Sequence, residues 1–197
     1  MSKIDFRPGN MLYPLPAIMV TCQGDEQVPN IITLAWAGTV CSDPAMVSIS
    51  VKKQRFSHHL LMESGEFVIN LTTKDIVKAT DYCGVTSGRD VDKFAKTGLT
   101  PIPSKKVAAP SIEESPVNIE CKVKQVLELG SHDMFLAEVV HVSVDASLMD
   151  EKNTLHLKNA DLITYSHGRY FVLGKELGTF GYSIRKRNPK KKRKKNR

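Results

Sequence analysis

Residues 30–57 read NIITLAWAGTVCSDPAMVSISVKKQRFS, and the character of the fold can be worked out from them. The first part, 31–40, is rich in β-branched and small residues and reads as a strand, with Trp36 set among Ala35, Ala37 and Gly38. Small side chains let a flat ligand lie close to backbone N–H and C=O groups, which a wall of Leu or Phe would keep at a distance. Past the turn pair Asp43-Pro44, Val47, Ile49 and Val51 alternate with Ser48, Ser50 and Lys52, the period of a strand with one apolar and one hydrogen-bonding face. Arg55 and Ser57 then open a helix. A helix N-terminus with basic and hydroxyl side chains around it suits a phosphate, because its first N–H groups have no partner within the helix.

The rest of the chain repeats the strand signal. Residues 15–22 form an apolar strand, and Gly24-Asp25 with Pro29 supplies the turn into 31–40. Val117, Ile119, Cys121, Val123, Leu127 and Leu129 occupy odd positions and polar residues the even ones, an alternation broken only at Gln125-Val126. The turn Gly130-Ser131 leads into a partner strand over 134–145, making a hairpin. Two short helices are predicted: 57–64, stopped by Gly65, and 74–83, capped by Thr72 or Thr73 and stopped by Gly84. Many strands with few helices predict an all-β fold with minor helices, an antiparallel barrel whose closure removes exposed sheet edges.

Composition sets the outer limits. A chain of 197 residues, 41% hydrophobic, is long enough for one well-packed domain and short for two, so the expected organisation is a domain over 1–184 and a tail over 185–197. The net charge of +7 resides in that tail, RKRNPKKKRKKNR, which carries ten of the 28 basic residues; the remaining 18 stand against 21 acids, a net −3. Ten like charges with no apolar residue predict disorder, either as a solubilising end or as an electrostatic tether to a polyanion. No apolar run approaches the ~18 residues that would span a bilayer, and no leader is apparent, so a cytoplasmic protein is expected. The four cysteines, Cys22, Cys41, Cys83 and Cys121, are widely spaced with no C-x-x-C pair and read as free core thiols. His58 and His59 are adjacent and cannot share a helix face, and His141, His156 and His167 lack ligand spacing, so no metal site is expected. Neither G-x-G-x-x-G nor G-x-x-x-x-G-K-[ST] occurs, which argues against a Rossmann or P-loop nucleotide site.

Taken with Gly65-Glu66-Phe67-Val68-Ile69-Asn70-Leu71, Asp81-Tyr82-Cys83-Gly84, the run SGRDVDKFAKTGLTP over 87–101 and Gly130-Ser131-His132-Asp133, the opening stretch resembles the flavin reductase-like family of FMN-binding split barrels, closest to its flavoredoxin-like branch. The resemblance covers roughly residues 10 to 182. It implies a Greek-key split β-barrel, FMN as cofactor, a homodimer with FMN near the subunit boundary, and electron transfer. In the enzyme version NADH or NADPH is a transient donor of hydride to flavin, and free flavin or a redox protein is the acceptor. Two other classes remain open: a flavoredoxin-like electron carrier with little direct NAD(P)H activity, and a barrel that attaches to an anionic partner through its tail.

The resemblance also assigns residues. Asn30, Thr33, Leu34, Ala35 and Trp36 would border the flavin ring, although a lone tryptophan in an apolar strand is ordinarily packing. Ser50, Lys52, Arg55, Ser57 and Lys93 would gather round the phosphate. Taken without the family, Ser57 is the N-cap of its helix and Lys93, flanked by Asp90 and Asp92, is a solvated surface charge. His132 is an exposed turn residue on sequence alone; by resemblance it lies near the reactive face of the flavin, where its imidazole could orient a nicotinamide amide or steady negative charge.

Overall fold

The computed structural model describes residues 1–24 and 28–185; the expected turn at Gly24-Asp25 and the basic tail lie partly or, beyond Arg185, wholly outside them. Seven strands form one antiparallel sheet: β2 (Ile18–Cys22), β3 (Asn30–Leu34), β4 (Ala37–Ser42), β5 (Ala45–Lys52), β6 (Glu66–Leu71), β9 (Val117–Leu129) and β10 (His132–Val144). Their order is β3-β2-β6-β9-β10-β5-β4, which places β3 and β4 at opposite edges. The strand expected over 31–40 is therefore two strands, broken at Ala35-Trp36. Three Cα steps separate Leu34 from Ala37 and span at most about 11 Å. The sheet must accordingly roll until its edges nearly meet, yet no β3–β4 ladder closes them; the bond from Ser50 N–H to the Trp36 carbonyl (2.9 Å) continues the β4–β5 pairing up to the break. This is a split barrel, as expected.

The interior follows from alternation. Val47, Ile49 and Val51 of β5 point inward with Ile18, Val20, Phe67, Ile69, Cys121, Phe135 and Ala137, and Leu60 and Leu61 plug one end from helix α1 (Phe56–Ser64). Burying side chains of this size contributes about 1.5–3 kcal/mol each. All five residues of β2 are buried because its other face is covered too: Met19 packs with Ile31, Cys83, Phe94, Leu99 and Ile112 beneath helices α2 (Val77–Val85) and α3 (Lys93–Thr97). The long hairpin β9–β10 turns at Gly130 (φ 64°). Its register shifts at Lys124, one residue before the break in alternation.

Several boundaries differ from the sequence reading. Residues 15–22 divide at Ala17: β1 (Leu15–Pro16) leaves the barrel and joins β11 (Ile163–Ser166) and β12 (Arg169–Val172) in a small separate sheet. β10 starts at His132, two residues early. Helix α2 starts late and runs through Gly84, since Thr72 bonds the Ala17 carbonyl (2.7 Å) and Thr73 bridges Leu162 instead of capping. Gly84 serves close packing, for a Cβ there would lie 3.3 Å from Thr33 Cβ. Helix α3 was not expected; Asp92 caps it by accepting from Ala95 N–H (3.1 Å) and Gly98 ends it. Gly65 ends α1 in the left-handed conformation, as predicted. Cys22, Cys83 and Cys121 are buried free thiols, but Cys41, on edge strand β4, is only half-buried. No helix among the described residues is long and apolar enough to cross a membrane, and these residues hold no cluster of metal-binding side chains.

Two buried polar groups tie the layers. Asn70 donates to the carbonyls of Met19 (3.2 Å) and Val68 (3.2 Å) and accepts from Ile112 N–H (3.0 Å) and Asn118 Nδ2 (2.8 Å), joining β2, β6, β9 and the β7–β8 hairpin (Pro101–Ile102, Ser111–Ile112). Asn70→Ala strands two buried donors, so chemical denaturation should show a loss of about 2–3 kcal/mol; a loss under about 0.5 would mean the network adds little. Asp133 lies beneath α1, with His58 Nε2 at 2.7 Å and Lys53 Nζ at 3.3 Å. Burial pushes its pKa up, yet the His58 bond and the Lys53 charge outweigh this and hold it below the ordinary carboxylate value. A depressed carboxylate stabilises the fold above its unfolded pKa, about 3.9, and loses that effect as pH falls through the folded value. The stability gap between wild type and Asp133→Asn should therefore be present above about pH 4 and shrink below it; a gap that stays constant into strong acid would contradict this.

Candidate functional site

The break at Ala35-Trp36 opens a cleft of about 720 Å³ where the barrel is split. Its floor is Thr33, Leu34, Ala35 and Trp36, one wall is Ser50 and Lys52 of β5 with His132, and the other comes from Asp81, Gly84 and Val85 of α2 with Tyr165 and Tyr170 of the small sheet. Leu34 is buried, but Trp36 is 39% exposed and so is no core residue. Its ring lies against His132, centroids 4.5 Å apart and planes tilted by 37°. Thr33 Oγ1 donates to the Thr80 carbonyl, locking β3 to α2. Burial, and then the charge of Lys52, lower the His132 pKa, which favours a neutral imidazole; Ser131 Oγ sits 2.9 Å from Nδ1, leaving Nε2 for the cleft.

Ile32, Gln54 and Arg55 also line a smaller pocket of about 190 Å³ at the start of α1. Arg55 is the N-cap residue of that helix and its side chain makes no capping bond, donating instead to the Gly84 carbonyl (3.0 Å). The first turn of α1 thus keeps amide groups without a side-chain acceptor, the feature that makes helix starts receptive to anions. Ser57 is not the cap. It sits one residue inside the helix, buried, and accepts from Asn30 Nδ2 (2.7 Å). Lys93 is buried too, not a solvated charge: its Nζ donates to the carbonyls of Ile31 (2.6 Å) and Cys83 (2.8 Å), committing two of its three N–H groups. Burial lowers its pKa, with Arg55 adding to the effect. Burial also pushes the Cys22 thiol up to about 12 and Cys83 to about 11, so both stay protonated and unreactive.

All eleven residues singled out in the sequence therefore border one continuous groove, but the expected phosphate cluster is divided. Ser50 and Lys52 line only the large cleft, Ser57, Lys93 and Asn30 the small pocket, and Arg55 both. Sequence reasoning missed Thr86, Ser87, Gly88 and Arg89, which complete the small pocket. Their signal was a glycine between a hydroxyl and an arginine. A Cβ on Gly88 would come within 2.2 Å of Asn30 Oδ1, so the loop backbone lies directly on the Asn30–Ser57 pair. Asp81, Tyr165 and Tyr170 were missed as well. Tyr170 donates to Asp81 (3.1 Å), and this neighbour with burial raises its pKa to about 12.

Comparisons with known proteins agree with this fold. An uncharacterized protein of Archaeoglobus fulgidus is 34% identical over 147 residues, 75% of this chain and 82% of its own. The flavoredoxin of Desulfovibrio vulgaris (Miyazaki F) superposes with a TM-score of 0.87 at 30% identity, covering 93% of this chain and 100% of that one. A flavoredoxin from Methanosarcina acetivorans gives 0.85 at 25% identity over 94% and 100%. The model of the flavin reductase like domain matches residues 10–174, which takes in the split barrel, the small sheet and every residue of the groove, and on that match the chain belongs to the flavin reductase-like family.

Proposed function

We propose that the protein is an FMN-dependent oxidoreductase that accepts hydride from NADH or NADPH and passes electrons to free flavin or a redox protein. The observation that carries this reading is the pairing of a flat-floored cleft with a small anion-suited pocket at the uncapped start of α1, joined through Arg55. FMN has the same two parts, a planar ring system and a phosphate. Backbone groups over 33–36 would meet the polar edge of the ring, and Ala35 keeps the floor low enough for contact. The α1 amides, Arg55, Ser57 and the remaining Lys93 N–H would hold the phosphate by charge-assisted bonds.

A flavin held by these residues would supply the redox chemistry, as an acceptor of hydride and a donor of electrons. The chain's own part is positioning. His132, neutral and backed by Trp36, would present Nε2 to the amide of a nicotinamide, while Lys52 would favour negative charge at the same end. The reading includes a homodimer, supported by the large apolar side chains left exposed on both terminal segments, Phe6, Met11 and Leu12 on one and Leu177, Phe180 and Ile184 on the other.

Purified protein should be yellow and should bleach on anaerobic mixing with NADH or NADPH. His132→Ala should retain the colour and bleach about tenfold more slowly or worse; wild-type protein that stays yellow with both donors would support a carrier instead. Light scattering should give twice the 21.9 kDa chain mass, and a monomer would remove the dimer from the reading.

A further inference from the structure

One buried carboxylate, Asp133, lines neither the cleft nor the small pocket, yet it touches the chain that lines both. It holds one stretch of chain at both ends, with Lys53 Nζ 3.3 Å from Oδ1 and His58 Nε2 2.7 Å from Oδ2. Between those two residues run Gln54, Arg55 and Ser57, which line the small pocket. The residue before Asp133 is His132, in the wall of the cleft. We infer that Asp133 is a positioning residue: through its bond to His58 it fixes the start of β10 against α1 and so holds the His132 imidazole on Trp36. This rests on the reading of His132 as the group that meets the nicotinamide donor.

His132 has little else to secure it. It is the first residue of β10, next to the Gly130-Ser131 turn, and the hydroxyl beside its ring belongs to Ser131, which would move with it. Element ends of this kind fray unless they are tied down. Asp133 is the first residue of the strand to be buried, and His58 is packed at the point of contact, its ring edge-on to Phe135 with centroids 5.6 Å apart. Lys53 is the weaker tie, because it is 41% exposed and shared with Glu128, the residue opposite Asp133 on β9. Stability alone does not account for the pair. Phe135 and Ala137 continue the same buried face of β10, and an apolar residue at 133 would pack beneath α1 without the cost of burying charge. What a hydrogen-bonded pair adds to an apolar contact is direction. Oδ1 makes no hydrogen bond among the described residues, so the His58 bond to Oδ2 sets how the carboxylate is turned.

Trp36 is the only tryptophan of the chain, so its fluorescence reports on His132 directly. A protonated imidazole quenches an adjacent indole more than a neutral one does. In flavin-free, full-length protein the Trp36 emission should therefore rise with pH, with a midpoint below the ordinary imidazole value of about 6.5 because burial and Lys52 lower the His132 pKa, and His132→Ala should abolish the step. The double variant His58→Leu with Asp133→Leu puts an apolar contact in place of the bond. It should melt close to wild type and lose about half of the step or more. Loaded with FMN, it should bleach about fivefold more slowly than wild type with whichever of NADH and NADPH acts on wild type, but slow a His132→Ala protein by less than about twofold. His58→Gln, which keeps a donor within reach of Asp133, should leave both readouts within about twofold of wild type. The inference is overturned if wild type shows no fluorescence step, if the double variant retains the full step, or if it slows the His132→Ala protein by as much as it slows wild type. Should the double variant fail to fold, His58→Asn, whose amide is too short to reach Asp133, decides by the same criteria. Wild type that neither donor bleaches, or His132→Ala bleaching at the wild-type rate, removes the role given to His132 and this inference with it; a slow His132→Ala protein to which the double variant adds its full loss removes this inference alone.

Discussion

The two-residue link Ala35-Trp36 is the constraint on which the rest of the structure depends. It joins the two edges of a seven-stranded sheet, so the sheet has to roll, and because the link occupies the seam the edges cannot zip together. A barrel with an unpaired seam leaves backbone polar groups at its opening, and these are the groups a planar heterocycle can use. The small side chain of Ala35 and the outward-turned Trp36 follow from the same requirement. Leu34 faces the core, Trp36 faces the cleft, and the change of direction occurs between them.

Helix α1 is the second fixed point. Leu60 and Leu61 anchor it in the barrel end, His58 is bonded to buried Asp133 at the start of β10, and Ser57 is held by Asn30 at the start of β3. Its N-terminus is thereby set at the mouth of the seam without a side-chain cap. Asp133 follows His132 in the chain, so the carboxylate that secures α1 and the imidazole that lines the cleft are carried by one strand end. Lys93 reaches the same region from α3 by spanning the carbonyls of Ile31 and Cys83, which makes the cation part of the framework rather than a loose surface charge.

The electrostatics of the groove are divided by position. Its cations, Lys52, Arg55, Arg89 and Lys93, follow the route from the cleft to the small pocket, whereas Asp81 lies on the opposite wall of the cleft and Asp90 and Asp92 line a separate hollow beside the small pocket. The nearby thiols of Cys22 and Cys83 are kept protonated by burial, so they add apolar packing and no competing nucleophile or redox partner.

By itself the sequence determined the features that depend on local periodicity. The alternation of Val47, Ile49 and Val51 with Ser48, Ser50 and Lys52, the β9–β10 hairpin turning at Gly130, and the stop at Gly65 were all legible, because strand pleat and left-handed turns leave a residue-level pattern. The eleven groove residues were legible through resemblance and not through spacing, since they come from β3, β5, α1, α3 and β10 and meet only after folding. Tertiary structure alone decided what their side chains do. Ser57 looked like a cap and is a buried acceptor for Asn30, and Lys93 looked solvated beside Asp90 and Asp92 and is buried, donating to the Ile31 and Cys83 carbonyls. The break at Ala35-Trp36 was invisible for the same reason: β-branched residues continue on both sides, and only the pairing of β2 with one half and β5 with the other shows that the chain has crossed from one edge of the sheet to the other. A local pattern records which residues face a neighbour; which neighbour it is depends on contacts distant in sequence, and those exist only in the folded chain.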